Sequence, residues 1–260
     1  MKTNTILSLI TCLAIAVILA AFVARDKLKA KRVVNAEGKG FAVLELFTSE
    51  GCSSCPPADE LMAEIQKEAK SKAVYILAYH VDYWNNQGWK DSFSSAAYSK
   101  RQVQYGDWLN QPQIYTPQLI INGKAEFVGS DESAIRNAIS KQLATKPADT
   151  LTLLAQQDNG TLKVQYKVTK AIKGSDLLIA IIQKAAQSEV GGGENTGRTL
   201  SHVQIVRALQ GEPIAATGSG NATIILPKGF NIQGWEVVGL VQDQSNGEIL
   251  GVAKAHLNNK

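Results

Sequence analysis

The sequence of 260 residues predicts an α/β domain followed by an all-β, sandwich-like domain, both behind an amino-terminal apolar helix. Three observations predict this arrangement. An uncharged run of 19 residues opens the chain, strand and helix patterns then alternate up to residue 143, and strand patterns with few helical periods follow from residue 151. We assign residues 1–32 to a signal anchor with a basic juxtamembrane segment, 40–146 to the α/β domain and 149–260 to the β-sandwich domain.

The uncharged run, Ile6–Ala24, is just long enough to cross a bilayer as a helix. A cleaved signal peptide and an uncleaved anchor both stay open, and the bulky Phe22 or Leu19 at the −3 position of the available cleavage sites favours the anchor. Five basic residues follow the run and one precedes it, which by itself favours a cytoplasmic chain. Short amino-terminal signals commonly send the chain outward, so we predict an extracytoplasmic, periplasmic protein, tethered or secreted after cleavage.

The formal net charge of +4 comes from the amino-terminal segment. Residues 1–32 hold six basic residues and one acidic residue, and the rest of the chain has 21 basic and 22 acidic residues. A nearly neutral folded part gives no reason to expect nucleic acid as a partner. The basic segment suits the anionic headgroups of a membrane.

The α/β domain is predicted element by element from apolar spacing. The predicted order is β-α-β-α-β-β-α, with Asn122-Gly123 as the turn of a hairpin and a helix cap at Ser130 or Asp131. The predicted elements are Phe41–Phe47, Ala58–Ala69, Ala73–Tyr79, Ser94–Trp108, Gln118–Ile121, Ala125–Val128 and a last helix through Leu143.

The second half reads as six or seven strands separated by turn signals such as Asn159-Gly160. Gly191-Gly192-Gly193 opens a long loop, 194–199, and we interpret this loop as a flexible connection rather than a phosphate cradle. The predicted strands are Leu151–Ala155, Leu162–Val168, Leu177–Gln183, Ala222–Leu226, Trp235–Gln242 and Ile249–His256.

The residues with the clearest chemistry are Cys52 and Cys55, which lie between a strand and a helix that starts at Pro56-Pro57. The first N–H groups of a helix and its dipole favour an anion, so a cysteine placed there loses its proton readily. Cys55 follows one turn later and can close a disulfide. We therefore predict Cys52 as the attacking thiolate and Cys55 as the resolving thiol.

Other uses of this Cys-x-x-Cys pair stay open. Half of a zinc site is one, although the chain has no second Cys-x-x-Cys, and a purely structural disulfide is another. A copper(I)-handling module would use both cysteines with His80 or His202, since soft thiolates suit that metal. A non-catalytic adaptor with a static disulfide is the remaining alternative. We predict no resident metal or cofactor.

The segment Tyr115-Thr116-Pro117-Gln118-Leu119 places a proline at the entry to a strand. With the Cys-x-x-Cys placement and the strand order over about 41–143, it resembles the thioredoxin superfamily. This resemblance implies a thioredoxin-like fold for 40–146. It also implies a cis Pro117 facing the cysteines and excluding metal from them, and a Thr116 that offers backbone hydrogen bonds to a bound thiol or peptide.

Several longer stretches resemble the secreted thioredoxin-like family catalogued as domain of unknown function 1223. They are Glu45–Asp59, His80–Trp84, Gly88–Asp91, Tyr115–Gln118 and Gly197–His202. These stretches run through both predicted domains. The resemblance implies a fold and an extracytoplasmic location, and it only suggests a function.

Further candidate residues surround the cysteines in this prediction. Glu45 shares a strand face with Val43 and Phe47, and a buried acid there is a candidate proton relay. Trp84 is a candidate substrate-groove residue. His80 and Asp82, at the end of a buried strand, and Arg198 and His202, from the second half, are candidate modulators of the thiolate.

The sequence therefore predicts a membrane-anchored or secreted thiol–disulfide oxidoreductase. Its expected partners are protein or small-molecule thiols and disulfides, with a membrane redox partner as a further candidate. The two serines between the cysteines do not set the direction of electron flow, because direction depends on the relative stability of the two redox states.

Overall fold

A computed structural model describes residues 40–69, 72–170 and 172–258. The predicted anchor at Ile6–Ala24, and with it the assignment of residues 1–32, lies outside the described residues. Across the described ranges, no helix has the length and apolar character needed to cross a membrane.

The described residues form twelve strands and three helices. The helices are α1 (Pro56–Glu68), α2 (Ala96–Leu109) and α3 (Glu132–Ala144). The strands are β1 (Ala42–Thr48), β2 (Val74–His80), β3 (Gln118–Ile121), β4 (Ala125–Val128), β5 (Leu151–Asp158), β6 (Thr161–Val168), β7 (Ser175–Glu189), β8 (Thr199–Pro213), β9 (Ser219–Ile225), β10 (Trp235–Asp243), β11 (Ile249–Lys254) and β12 (His256–Asn258).

Eight strands form one mixed sheet in the order β11-β10-β7-β8-β2-β1-β3-β4. Strand β1 is parallel to β2 and antiparallel to β3. The halves of this sheet meet where β2 runs parallel to β8, with Ala78 opposite Ile205. The remaining strands form a second sheet in the order β12-β5-β6-β9.

The predicted fold class, an α/β thioredoxin-like domain followed by an all-β sandwich, is wrong. The described chain is mostly β-sheet, with two sheets and three short helices, and its larger sheet joins strands from both halves of the sequence. The sequence reading missed β8 (Thr199–Pro213), which is the strand that bridges the two halves. Spacing of apolar residues shows that a segment is a strand but does not name its partner, which is set by long-range packing.

Local elements of the first half agree with the sequence, because their signals are local. Pro56 begins α1, Ser95 caps α2 by accepting a hydrogen bond from the Ala97 N–H, and Asp131 rather than Ser130 caps α3 through the Ala134 N–H. Asn122, with a positive φ of 50°, forms the turn of the predicted β3–β4 hairpin.

Strand β1 is buried on both faces, and its alternate residues enter two different cores. Ala42, Leu44 and Leu46 pack with apolar residues of α1 and α3. Phe41, Val43 and Phe47 pack on the opposite face with residues of β2, β7 and β10. A third core lies between the two sheets and is built from side chains of β5, β6, β7 and β10. The end of β1 that leads into Cys52 is therefore held rigidly from both sides.

Candidate functional site

The two cysteines form a disulfide at the amino terminus of α1. Their Cα atoms are 5.5 Å apart, and neither residue exposes measurable surface. Cys55 is the cap residue of α1, and its carbonyl accepts hydrogen bonds from the N–H groups of Ala58 and Asp59. Ser53 and Ser54, between the cysteines, are exposed. The disulfide thus lies just beneath the surface, under a short polar turn.

The loop before β3 lies against this turn. The Thr116–Pro117 peptide bond is cis, the isomer that the resemblance implies. The Ser54 hydroxyl donates to the Thr116 carbonyl at 3.3 Å and also lies 3.3 Å from the Cys52 Sγ atom. The indole N–H of Trp84 donates to the Thr116 hydroxyl at 2.9 Å. Three predicted site residues, Trp84, Thr116 and Pro117, therefore lie beside the cysteine turn.

A buried cluster of charged side chains lies behind the cysteine turn. Glu50 is fully buried, and its Oε2 atom accepts a hydrogen bond of 2.6 Å from the indole N–H of Trp89. The predicted modulator His202 enters from β8, with Nε2 at 3.5 Å from the Glu50 Oε1 atom and Nδ1 at 3.8 Å from the Asp59 Oδ2 atom. These are ion-pair distances rather than hydrogen bonds. Asp59 also accepts from the Thr48 hydroxyl at 3.3 Å.

The charges of this cluster depend on one another. Burial by itself lowers the pKa of His202, but the carboxylates of Asp59 and Glu50 outweigh burial and raise that pKa to about 9. Burial raises the pKa of Glu50, but His202 and the Trp89 hydrogen bond reverse the effect, so the pKa of Glu50 lies below its usual value. At neutral pH the cluster therefore holds an imidazolium between two carboxylates.

His80 extends the cluster at the end of β2. Its Nδ1 atom is 2.6 Å from the Asp91 Oδ2 atom, and its ring centroid is 4.8 Å from that of His202. Burial raises the pKa of Asp91, but the contact with His80 and backbone N–H groups, including that of Glu50 at 3.0 Å, lower it overall. Asp91 thus links the β2 end directly to the backbone that leads into Cys52.

The connection between β7 and β8, residues 190–198, contacts the cysteine turn from the other side. The buried Asn195 side chain donates to the carbonyls of Glu50 and Cys52 at 2.9 and 2.8 Å. The exposed Glu194 carboxylate accepts from the Ser53 N–H at 2.9 Å and from the Ser53 hydroxyl at 2.6 Å. Arg198, a predicted modulator, donates to the Asn195 Oδ1 atom at 2.8 Å.

The three glycines of this connection are packed against the Trp89 loop, in contrast to the flexible connection expected from the sequence. A Cβ atom on Gly191 would lie 2.9 Å from the Trp89 ring, and one on Gly192 would lie 2.6 Å from the Gly88 carbonyl oxygen. Gly193 has a φ of +76°. Glycine is used here because the two backbones approach too closely for a side chain.

The structure places two other predicted residues in separate networks. Glu45 points to the face of β1 opposite α1, where its carboxylate accepts from the Arg101 Nε atom at 2.7 Å and from the Tyr105 hydroxyl. Asp82 accepts a hydrogen bond from the Ser99 hydroxyl of α2 at 2.5 Å. A relay role for Glu45 and a modulating role for Asp82 stay predictions, and the described contacts of both residues are with α2.

Residues 43–242 match the family described as "Protein of unknown function (DUF1223)". The chain belongs to the DUF1223 family. A crystal structure of a protein from Agrobacterium tumefaciens is similar, with 26% identity, a TM-score of 0.64, and coverage of 82% of this chain and 92% of that one. HBP35 of Porphyromonas gingivalis shares the fold at 19% identity and a TM-score of 0.62, covering 85% of this chain and 76% of its own. Among curated proteins, none matches significantly.

Several residues of this DUF1223 site were not singled out by the sequence reading: Glu50, Asp59, Trp89, Asp91, Glu194 and Asn195. Glu50 and Asp59 flank the cysteine motif closely, so their position was a usable signal. Glu194 and Asn195 had no such signal, because they reach the cysteines through the pairing of β7 with β8. Within the described ranges, no group of three His, Cys, Asp or Glu side chains is arranged to hold a metal ion.

Proposed function

We propose that this DUF1223 protein is a thiol–disulfide oxidoreductase that works through Cys52 and Cys55. The observation that carries the proposal is the Cys52–Cys55 disulfide at the start of α1, beneath the exposed Ser53–Ser54 turn and beside the Thr116 loop. A static disulfide that closes so short a loop adds little stability, so its placement at a helix amino terminus favours chemistry.

The reduced pair would act in two exchange steps. The Cys52 thiolate attacks one sulfur of a partner disulfide, forms a mixed disulfide and releases the other partner sulfur as a thiolate. Cys55 then loses its proton, attacks the Cys52 sulfur and releases the second partner thiolate. Two electrons pass from the dithiol to the partner, and the same steps in reverse oxidise a partner dithiol.

Buried charges near Cys55 suit the second step. Asp59 follows Cys55 by one helical turn, so the two side chains emerge on the same side of α1. Its carboxylate lies near the His202 imidazole, which gives the site an acid–base pair within reach of the resolving cysteine. In this proposal, Asp59 and His202 support the resolving step, and Trp84, Thr116 and Pro117 form the surface that meets the partner.

We place the protein outside the cytoplasm, held by its amino-terminal segment or released by cleavage, because disulfides form and persist there. Its partners in this proposal are protein or small-molecule thiols and disulfides, with a membrane-bound redox partner returning the pair to its starting state.

The test is a trapping experiment on the full-length chain. Cys55→Ser should accumulate a mixed disulfide through Cys52, visible as a higher-mass species on non-reducing gels and removed by a reductant. Cys52→Ser is the matched control and should trap little, because the attacking sulfur is gone. Alkylation of reduced Cys52 should also proceed at a lower pH than that of an ordinary thiol.

Equal trapping by both variants, or alkylation of Cys52 with the pH profile of a free cysteine, contradicts the proposal. Full function of a Cys52→Ala variant in cells would instead support the adaptor alternative. Stoichiometric copper(I) binding by the reduced chain would support the copper-handling one.

A further inference from the structure

Both cysteines are fully buried, yet the side chains that touch their turn come largely from a distant part of the sequence. Asn195 and Glu194, on the connection between β7 and β8, contact the backbone of Cys52 and Ser53 directly. The proposed exchange reaction assigns neither residue a role.

Asn195 acts on the carbonyl groups. It is 1% exposed, and its two donated hydrogen bonds satisfy the carbonyls of Glu50 and Cys52. Arg198 holds the other end of the same amide group. A donor that occupies these oxygens draws negative partial charge away from the Cys52 turn, which favours an anion on the neighbouring sulfur.

Glu194 acts in the opposite direction. Its carboxylate takes the Ser53 N–H, the first backbone donor after Cys52, and adds a negative charge at the mouth of the site. An N–H bound to a carboxylate is less available to a thiolate, and the charge itself repels one. Because Glu194 is exposed, solvent and salt weaken this repulsion.

We propose that Asn195 and Glu194 are positioning residues that set the redox properties of the Cys52–Cys55 pair with opposite signs: Asn195 stabilises the Cys52 thiolate and Glu194 destabilises it. The inference rests on the proposed function and assigns its tuning to the β7–β8 connection. A more stable thiolate makes the disulfide easier to reduce, so Asn195 raises the reduction potential and Glu194 lowers it.

The test compares Asn195→Ala and Glu194→Gln in the full-length chain. The readouts are the alkylation rate of reduced Cys52 as a function of pH and the reduction equilibrium against glutathione. For Asn195→Ala we expect alkylation near pH 6.5 to slow about three- to tenfold and the equilibrium to move toward the disulfide by up to about tenfold, or about 30 mV. For Glu194→Gln we expect changes of about two- to threefold in the opposite directions.

Salt separates the two contributions. The Glu194→Gln effect should shrink toward wild type as the salt concentration approaches about 1 M, whereas the effect at the buried Asn195 should persist. Glu189→Gln is the matched control for charge, because it removes one exposed carboxylate from the same hairpin without touching the cysteine turn. It should leave both readouts unchanged.

Changes of the same sign in both variants, or no change in either, would overturn the inference. Glu194→Gln changes only an exposed side chain, so its result stands even where Asn195→Ala fails to fold. These readouts need only the cysteine pair and glutathione. Failure to trap a partner with Cys55→Ser therefore bears on the proposed function, and unaltered potentials bear on this inference.

Discussion

The imidazole of His202 lies 3.5 Å from the Glu50 carboxylate, with Nε2 facing Oε1, although the two residues belong to opposite halves of the sequence. Both residues are at most 2% exposed. A buried imidazolium between Glu50 and Asp59 ties β8 to the segment that leads into Cys52. This contact makes the stability of the site depend on pH.

His202→Asn should change how stability varies with pH. The pKa of His202 is raised to about 9 from an unfolded value of about 6.5, so its contribution is fully present below pH 6.5 and is lost as the pH rises through 9. We expect wild type to lose about 2 kcal/mol of unfolding free energy across this window. Urea unfolding of the full-length chain at pH 6, 8 and 10 measures it.

The asparagine variant should be less stable than wild type at pH 6, because Glu50 keeps its buried charge without the imidazolium. The difference between the two proteins should narrow toward pH 10. Parallel profiles for variant and wild type would show that His202 is not charged in the folded state.

Glu45→Gln should destabilise the protein, because it leaves the Arg101 guanidinium buried without its carboxylate. Glu45 and Arg101 have side chains 1% and 6% exposed, and Tyr105 and Gln242 complete the same network. Removing one partner of a buried pair costs about 3–5 kcal/mol. Denaturant unfolding measures the loss.

Glu68→Gln is the control for Glu45→Gln, because it removes a carboxylate from the exposed ion pair with Arg136. It should change stability little. If Glu45→Gln instead unfolds like wild type and alters the pH dependence of the resolving step, the relay role predicted from the sequence gains support over the structural one.

Gly192→Ala should expose the disulfide. The added methyl would lie 2.6 Å from the Gly88 carbonyl oxygen, a backbone atom that cannot move aside cheaply, so the connection must shift away from the cysteine turn. We expect dithiothreitol to reduce Cys52–Cys55 several-fold faster than in wild type, measured by mass spectrometry after quenching.

Gly191→Ala provides a graded comparison for Gly192→Ala. Its methyl would meet the Trp89 ring at 2.9 Å, and a side chain can yield where backbone cannot. The order of reduction rates should be Gly192→Ala, then Gly191→Ala, then wild type. An unchanged rate in Gly192→Ala would show that residues 190–198 do not limit access to the sulfurs.

The sequence by itself determined the local features of this protein. Pro56-Pro57 after the cysteines specified the start of a helix, Asn122-Gly123 specified a hairpin turn, and both cysteines were recognisable as a pair one turn apart. Each of these features depends on the backbone preferences or spacing of a few neighbouring residues, which are readable without knowing the rest of the fold.

Only the tertiary structure decided which segments meet. The pairing of β2 with β8 joined the two halves into one sheet, and the β7–β8 hairpin brought Asn195 and His202 to the cysteines. Glu45, on a strand buried on both faces, was directed to Arg101 rather than toward α1. Strand partners and strand faces are chosen by the burial of the whole chain, because apolar spacing within one strand fits many partners equally well.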